Sequence, residues 1–252
     1  MLQQKIREDG RGLLDYRKDI SIEYGISAKS AEGSARVKIG ETEVVAGVKL
    51  AIDKPYPDTQ DRGNLIVSAE LLPLSSPEFE SGPPSIEAIE LSRVVDRCIR
   101  ETECINLEKL CIKKGEKVWV VFVDIYPIND AGNLFDAAAL AAIAALKDAC
   151  FPDYNEKDGT INYEKRTTKK LPLDHIPMEV TVVKIGNELL VDPSVNEWEY
   201  IDARLTVAML EDGSICGMQK GGDSEFTIEE VGRALDIAAD TAKMLRSKLV
   251  KK

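Results

Sequence analysis

The stretch VDIYPINDAGNLFDAAALAAIAALKDA, Val123 to Ala149, constrains the fold most. It starts as a β-branched strand, turns at Asp130–Ala131–Gly132–Asn133, and continues into a helix expected over residues 134–150. Eight alanines fall between Ala137 and Ala149, and little of the helix is polar. A helix that is apolar on nearly every side is stable only between covering layers. The small side chains let sheets or helices approach it closely, so this segment is expected to be the central core helix.

A junction of this kind can hold a phosphate on the N–H groups at the helix start. Phosphate sites normally add a cation, because charge-assisted hydrogen bonds are about twice as strong as neutral ones. No Lys or Arg lies between Lys117 and Lys147, and Asp130 and Asp136 would repel an anion. The expectation is an ordinary strand-to-helix turn capped by Asn or Asp.

Two segments repeat: VKIGETEVV (Val37 to Val45) and VKIGNELLV (Val183 to Val191). Each reads as strand, tight turn at Gly, strand. Around the first, strands are expected near 20–27, 34–39, 42–52, 64–72 and 118–126, with helices near 84–101 and 134–150. Around the second, strands are expected near 177–185, 188–192, 199–210 and 214–219, with a helix near 227–249. Thr227 and Glu230 form a capping-box pattern for that last helix. Its stripe Val231, Leu235, Ala238, Ala242, Leu245, Leu249 faces a core, and the lysines at the C-terminus suit the helix dipole. The fold class is therefore α+β, a duplication of two β-then-α halves. The halves span residues 1–150 and 171–252, joined by the polar, turn-rich linker 151–170 and forming one compact unit.

Several function classes drop out on composition. The 252-residue chain has no apolar run near the roughly 20 residues of a membrane span. Its start, MLQQKIREDGRG, carries no h-region, so a cytoplasmic protein is expected. Five cysteines, an odd number with no C-x-x-C pair, read as reduced thiols. The single histidine, His175, excludes a multi-His metal site and is read as structural; no metal or cofactor is expected. A net charge of −11 argues against coating nucleic acid by bulk electrostatics, and leaves room for a local basic face.

Such a face is present in AIELSRVVDRCIRE, Ala88 to Glu101. Arg93, Arg97 and Arg100 are spaced i, i+4, i+7 and share one side of a helix, with Ile89, Val94 or Val95, and Ile99 covering the other. Three arginines on one stripe suit phosphate recognition; salt bridging to Glu90, Asp96 and Glu101 is the competing use. In DPSVNEWEYIDARL, Asp192, Glu197, Glu199 and Asp202 are candidate general acids. Asp202 and Arg204 are expected to share a strand face, where the guanidinium would hold the carboxylate ionised. An ion-paired strand edge is the preferred reading.

The motifs together resemble a known family. REDGRGLLDYRKDISIEYGISAKSAEGSARVKIGETEVVAGVKL resembles the opening of the RNase PH family, with D-G-R, D-x-R and G-S-x-x-V-x-x-G-x-T-x-V in order. IDKPYPDTQDRGNLIVSAELLPL, GPPSIEAIELSRVVDRCIRE and KVWVVFVDIYPINDAGNLFDAAALAA are similar to the second, non-catalytic RNase PH-like subunit type of the archaeal exosome. The resemblance implies an RNase PH-like fold and a ring that degrades RNA 3′ to 5′ by phosphorolysis. The family's phosphate loop reads like G-G-T/S-R; here Leu134 stands at the Arg. Its catalytic stretch reads like A-D-M-P; here Arg204 stands at the Asp. Both departures imply a subunit with no catalytic residues of its own.

Such a subunit is expected to pair with a catalytic RNase PH-like partner, three pairs closing a hexameric ring that carries RNA-binding cap subunits. It would structure the partner's site, where inorganic phosphate is used. Arg93, Arg97 and Arg100 match the family's basic helix and are expected to bind RNA. The alternative is an active phosphate-dependent exoribonuclease using Asp202 or Glu199 as acid. A scaffold outside any exosome is a third class. Whether Arg62 in DRGN joins the RNA path stays open.

Overall fold

A computed structural model describes residues 6–156 and 158–249. The first five residues and the terminal Lys251 and Lys252 therefore lie outside the described residues. In chain order the elements are β1 (Ile20–Tyr24), β2 (Gly33–Ile39), β3 (Thr42–Asp53), β4 (Asn64–Ala69), α1 (Ile86–Arg100), β5 (Cys111–Lys113), β6 (Lys117–Asn129), α2 (Leu134–Asp148), β7 (Cys150–Asn155), β8 (Thr160–Lys170), β9 (Met178–Ile185), β10 (Glu188–Val191), α3 (Val195–Trp198), β11 (Ala203–Met209), β12 (Ile215–Gly221) and α4 (Ile228–Lys248).

The first sheet runs β1-β2-β3-β6-β4, with β5 added to β6; the second runs β10-β9-β11-β12. Among the described residues only β4 and β6 pair in parallel, across the excursion that contains α1. The repeated segments form the hairpins β2–β3 and β9–β10. In both, two residues close the turn, with Ile39 opposite Thr42 and Ile185 opposite Glu188. Gly40 and Gly186 supply the positive φ these turns need, at +56° and +60°.

α2 fills the space between the sheets. It packs on β2, β3 and β6 from one side and on β9 from the other. Residues Phe135 through Leu146 are all buried, as an all-round apolar helix requires. Gly33 marks the tightest approach: a Cβ there would collide with the backbone at Ala145 and Ala149. α4 covers the outer face of β9 and β11, so the layers run sheet, helices α1 and α2, sheet, α4. One apolar core draws on both halves, from Val37 and Leu50 to Val207 and Leu245.

Two expectations are corrected. The segment 151–170 is a hairpin, β7 with β8, that continues directly from α2. Its polar composition reads as a linker because β8 is largely exposed; Trp119 meets Phe151 and Tyr154 edge-on at 5.2 and 5.7 Å and secures it. Second, β11 is no strand edge. It lies between β9 and β12, and helices cover both its faces. Every residue from Ala203 to Met209 is buried, so the alternation of apolar and polar residues separates two buried faces. The polar residues on it find internal partners, as Thr206 does with Thr181, hydroxyl to hydroxyl at 3.1 Å.

Candidate nucleic-acid interface

α1 begins at Ser85, whose hydroxyl accepts from the Ala88 N–H at 3.2 Å. Ala88, Leu91, Val94, Val95, Cys98 and Ile99 form its buried side. Ile89, expected among them, is 47% exposed instead, because Leu91 and Cys98 take that face. The arginines sit opposite and differ in their engagement. Arg93 is exposed and, among the described residues, has no ion pair. Arg97 is half-buried, and its Nη1 donates to Gln219 Oε1 on β12 at 2.7 Å. Arg100 pairs with Asp96 at 2.6 Å and donates to the Leu65 carbonyl at 3.0 Å, toward the first sheet. The stripe is real, and salt bridging engages one of its three members.

Arg100 also lines a cleft of about 610 Å³ with Tyr56, Arg62, Asn106, Glu108 and Asp174. Tyr56 is 53% exposed there. Arg62 pairs loosely with Glu108, at 3.2 Å between exposed groups. The cleft is lined by Asp58, Glu103, Glu108 and Asp174 against Arg62 and Arg100, and both arginines are ion-paired, so its charge does not favour a phosphate. Sequence reading passed over Tyr56; its place between Pro55 and Pro57 carries no periodicity that would mark it.

The turn at 130–133 is a poor anion seat for a reason beyond its missing cation: the N–H groups of Asp130, Ala131 and Gly132 already serve internal acceptors. Gly132 donates to Asp130 Oδ1 at 2.8 Å, and Ala131 donates to Thr42 Oγ1 at 3.3 Å. Gly132, at φ +96°, is pressed against the Pro193 carbonyl and Ser194, where a Cβ would collide. Tertiary structure does bring one cation close: Arg17 donates to the Ala131 and Gly132 carbonyls at 3.1 and 3.0 Å. That guanidinium is neutralised by Asp192, at 2.7 Å. Asn133 occupies the N-cap of α2, yet its side chain does not cap. Its amide donates to the Tyr16 hydroxyl at 2.9 Å, to Asp136 at 3.1 Å and to Asp192 at 3.2 Å.

Beyond the turn lies a cavity of about 240 Å³, walled by Phe79, Leu134, Phe135 and Trp198 among others. Five carboxylates line it, Glu78, Glu87, Glu90, Asp130 and Glu199, against one cation, Arg204. Arg204 is 5% exposed, pairs with Glu90, and lies over the Phe135 ring at 4.0 Å. Burial raises the Asp130 pKa, while the Gly132 N–H and Arg17 pull it back. So the cavity repels anions, and its single cation is already paired.

The candidate acids are accounted for in turn. Asp192 is fully buried and held by Arg11 at 2.8 Å as well as by Arg17. Glu197 pairs with the buried Arg7; burial pushes its pKa up, and Arg7 with the Ser194 N–H pulls it below the usual range. Asp202 precedes β11 and is exposed; it accepts from the Gly186 N–H at 2.6 Å, away from Arg204. Glu199 alone among the four reaches the cavity. The D-G-R and D-x-R motifs thus fasten the N-terminal strap to the second half, a role their spacing did not reveal. His175 stands 3.7 Å from Glu211, both half-exposed. All five cysteines are free, and burial pushes the Cys104 thiol up to about 12.

Two sheets around a shared helical layer, with duplicated Gly hairpins and an arginine-bearing helix at their meeting point, define an RNase PH-like protein. Residues 17–152 match the 3′ exoribonuclease family, domain 1, and residues 175–241 match its domain 2. The chain belongs to that family. The exosome complex component Rrp42 of Methanothermobacter thermautotrophicus is 47% identical over 97% of this chain and 90% of its own length. That of Archaeoglobus fulgidus is 47% identical over 98% and 92%. Among solved structures, the Archaeoglobus fulgidus exosome with RNA bound to the active site contains a chain with a TM-score of 0.91 at 46% identity, covering 99% of this chain and 94% of that one. An archaeal exosome core gives 0.86 at 43%, covering 98% and 92%. Rice Rrp46, at 16% identity and a TM-score of 0.69, shares the fold.

Proposed function

We propose that this chain is a non-catalytic ring subunit of an exosome that degrades RNA 3′ to 5′ by phosphorolysis. The observation that carries this reading is the state of the anion seat. Gly132 donates to Asp130, Leu134 stands where the family places an arginine, and Arg204 is bound to Glu90. A phosphate would meet turn donors already in use at Ala131 and Gly132, and a cavity lined by five carboxylates against one paired cation. The near-full-length similarity to Rrp42 components supports the exosome assignment. In this reading the chain pairs with a catalytic RNase PH-like subunit in a hexameric ring under RNA-binding caps, and inorganic phosphate is used at the partner's site. A cytoplasmic setting goes with that role.

Arg93, Arg97 and Arg100 then contact RNA phosphates. Each well-formed contact is worth roughly 1.5–3 kcal/mol. Arg93 and Arg97, which have no carboxylate partner among the described residues, can act locally despite the net charge of −11, because charges beyond about 10 Å are largely screened at physiological salt. The test compares the chain alone, the catalytic partner alone and the mixture, each with RNA and phosphate. The reading expects no nucleoside diphosphate from this chain alone and more from the mixture than from the partner. Phosphate-dependent release by this chain alone would refute it.

A further inference from the structure

The C-terminal half grips α1 at two points. Arg204 on β11 pairs with Glu90, and β12 receives Arg97. Arg97 Nη1 donates to Gln219 Oε1 at 2.7 Å and more weakly to the Met218 carbonyl at 3.4 Å. The stem of Arg97 crosses Gly217, where a Cβ would meet its Cγ at 3.4 Å and its Cδ at 3.5 Å. Gln219 is itself fixed. Its backbone is paired with Thr206 in the β11–β12 ladder, and its Nε2 donates to the Lys220 carbonyl at 3.2 Å. That second bond sets the amide orientation, so its oxygen faces Arg97. Among the described residues, neither Nε nor Nη2 of Arg97 has a hydrogen-bond partner.

We infer that Gln219 is a positioning residue for RNA: it holds Arg97 in one orientation, with Nε and Nη2 turned out for a phosphate. The inference rests on the RNA role proposed for Arg97. An unheld Arg loses its rotamer freedom at the moment it grips a phosphate; a held one has already lost it. A neutral amide suits the task. It accepts from the guanidinium without cancelling the charge, whereas a carboxylate would pair with Arg97 and compete with RNA. Gly217 belongs to the same device, because it leaves room for the Arg97 stem over the strand.

The experiment uses the ring reconstituted with its catalytic partner and a short single-stranded RNA, without phosphate so that the RNA survives. Affinity and its salt dependence are measured for Arg97→Ala, Gln219→Leu, Gln219→Glu and the Arg97→Ala/Gln219→Leu pair. Gln219→Leu is expected to weaken binding roughly threefold to tenfold, with the salt slope unchanged because Arg97 keeps its charge. In the Arg97→Ala background the same substitution should remove nothing further. Gln219→Glu should lower the salt slope by about 0.7, the loss of one phosphate contact on a single strand.

Equal losses from Gln219→Leu in both backgrounds would overturn the positioning role, and so would unchanged affinity in Gln219→Leu beside a clear loss in Arg97→Ala. Unchanged affinity in Arg97→Ala itself would remove the underlying RNA reading as well. Should the Gln219→Leu ring fail to assemble, Gln219→Glu decides, and an unchanged slope overturns the inference.

Discussion

The guanidinium of Arg204 is paired with the carboxylate of Glu90, 114 residues away, and its Cζ lies 4.0 Å from the centroid of the Phe135 ring. Both residues line the cavity beyond the turn at 130–133. The pair also ties a central strand of the second half to the arginine helix of the first.

Removing Glu90 should therefore be felt in stability. Arg204 would be left 5% exposed and unpaired in a low-dielectric setting, with its Nε already lacking a partner. Because the Glu90 side chain is 37% exposed, water can partly replace it. Glu90→Ala is expected to lose about 2 kcal/mol, and Glu90→Gln about half that, since an amide oxygen still accepts. Urea unfolding of the purified chain measures both; a Glu90→Ala midpoint matching the parent would contradict the structural weight given to the pair.

Restoring the family's arginine should not restore chemistry. Leu134→Arg adds a cation beside the turn, but Gly132 and Ala131 keep their internal acceptors and Glu87, Glu90 and Glu199 stay in the cavity. The new guanidinium is expected to pair with those carboxylates. No nucleoside diphosphate should appear when the variant alone is incubated with RNA and phosphate.

The two less-engaged arginines should differ from Arg100 in their response. Arg93→Ala and Arg97→Ala are each expected to weaken RNA binding by the reconstituted ring roughly tenfold, uniformly across sequences. Arg100→Ala removes a side chain already committed to Asp96 and Leu65, so its loss should be smaller. A filter-binding series on mixed-sequence RNA tests the ranking; an Arg100 effect exceeding the other two would reverse it.

Stability should fall with rising pH through the buried carboxyl of Asp136. Burial raises its pKa to about 7, and hydrogen bonds from Tyr16, Thr181 and Asn133 offset only part of that. An unfolded Asp titrates near 3.9, so between about pH 4 and 7 the native state holds a proton that the unfolded state lacks. The group's contribution is largest below pH 4, declines across that window and is flat above it. Glu179, raised by burial, shifts the same way. Asp136→Asn cannot ionise, so its stability relative to the parent should grow from pH 4 to 7 and then level off. A constant difference across that range would show that the carboxyl does not titrate as stated.

Close packing around α2 gives a last prediction. Gly33→Ala drives a methyl into the backbone at Ala145 and is expected to destabilise by roughly 1–3 kcal/mol, read as a lowered melting temperature.

Much of this protein was legible in the residues because it is local. Period and composition placed the buried α2; Gly40 and Gly186 marked the two hairpins; Thr227 and Glu230 marked the start of α4. The i, i+4, i+7 spacing put Arg93, Arg97 and Arg100 on one face, and the turn before α2 showed no Lys or Arg of its own. What needed the folded chain was every relation that joins distant segments. Alternation in β11 says which residues share a face, while burial of both faces depends on α1, α2 and α4 arriving from elsewhere. Ion pairs such as Arg17 with Asp192, Arg7 with Glu197 and Arg204 with Glu90 span 114 residues or more. Electrostatic partnership falls off with distance in space, and separation along the chain gives no measure of it. For that reason the sequence by itself determined which cations and donors were present or missing, and only the tertiary structure decided which of them were already occupied.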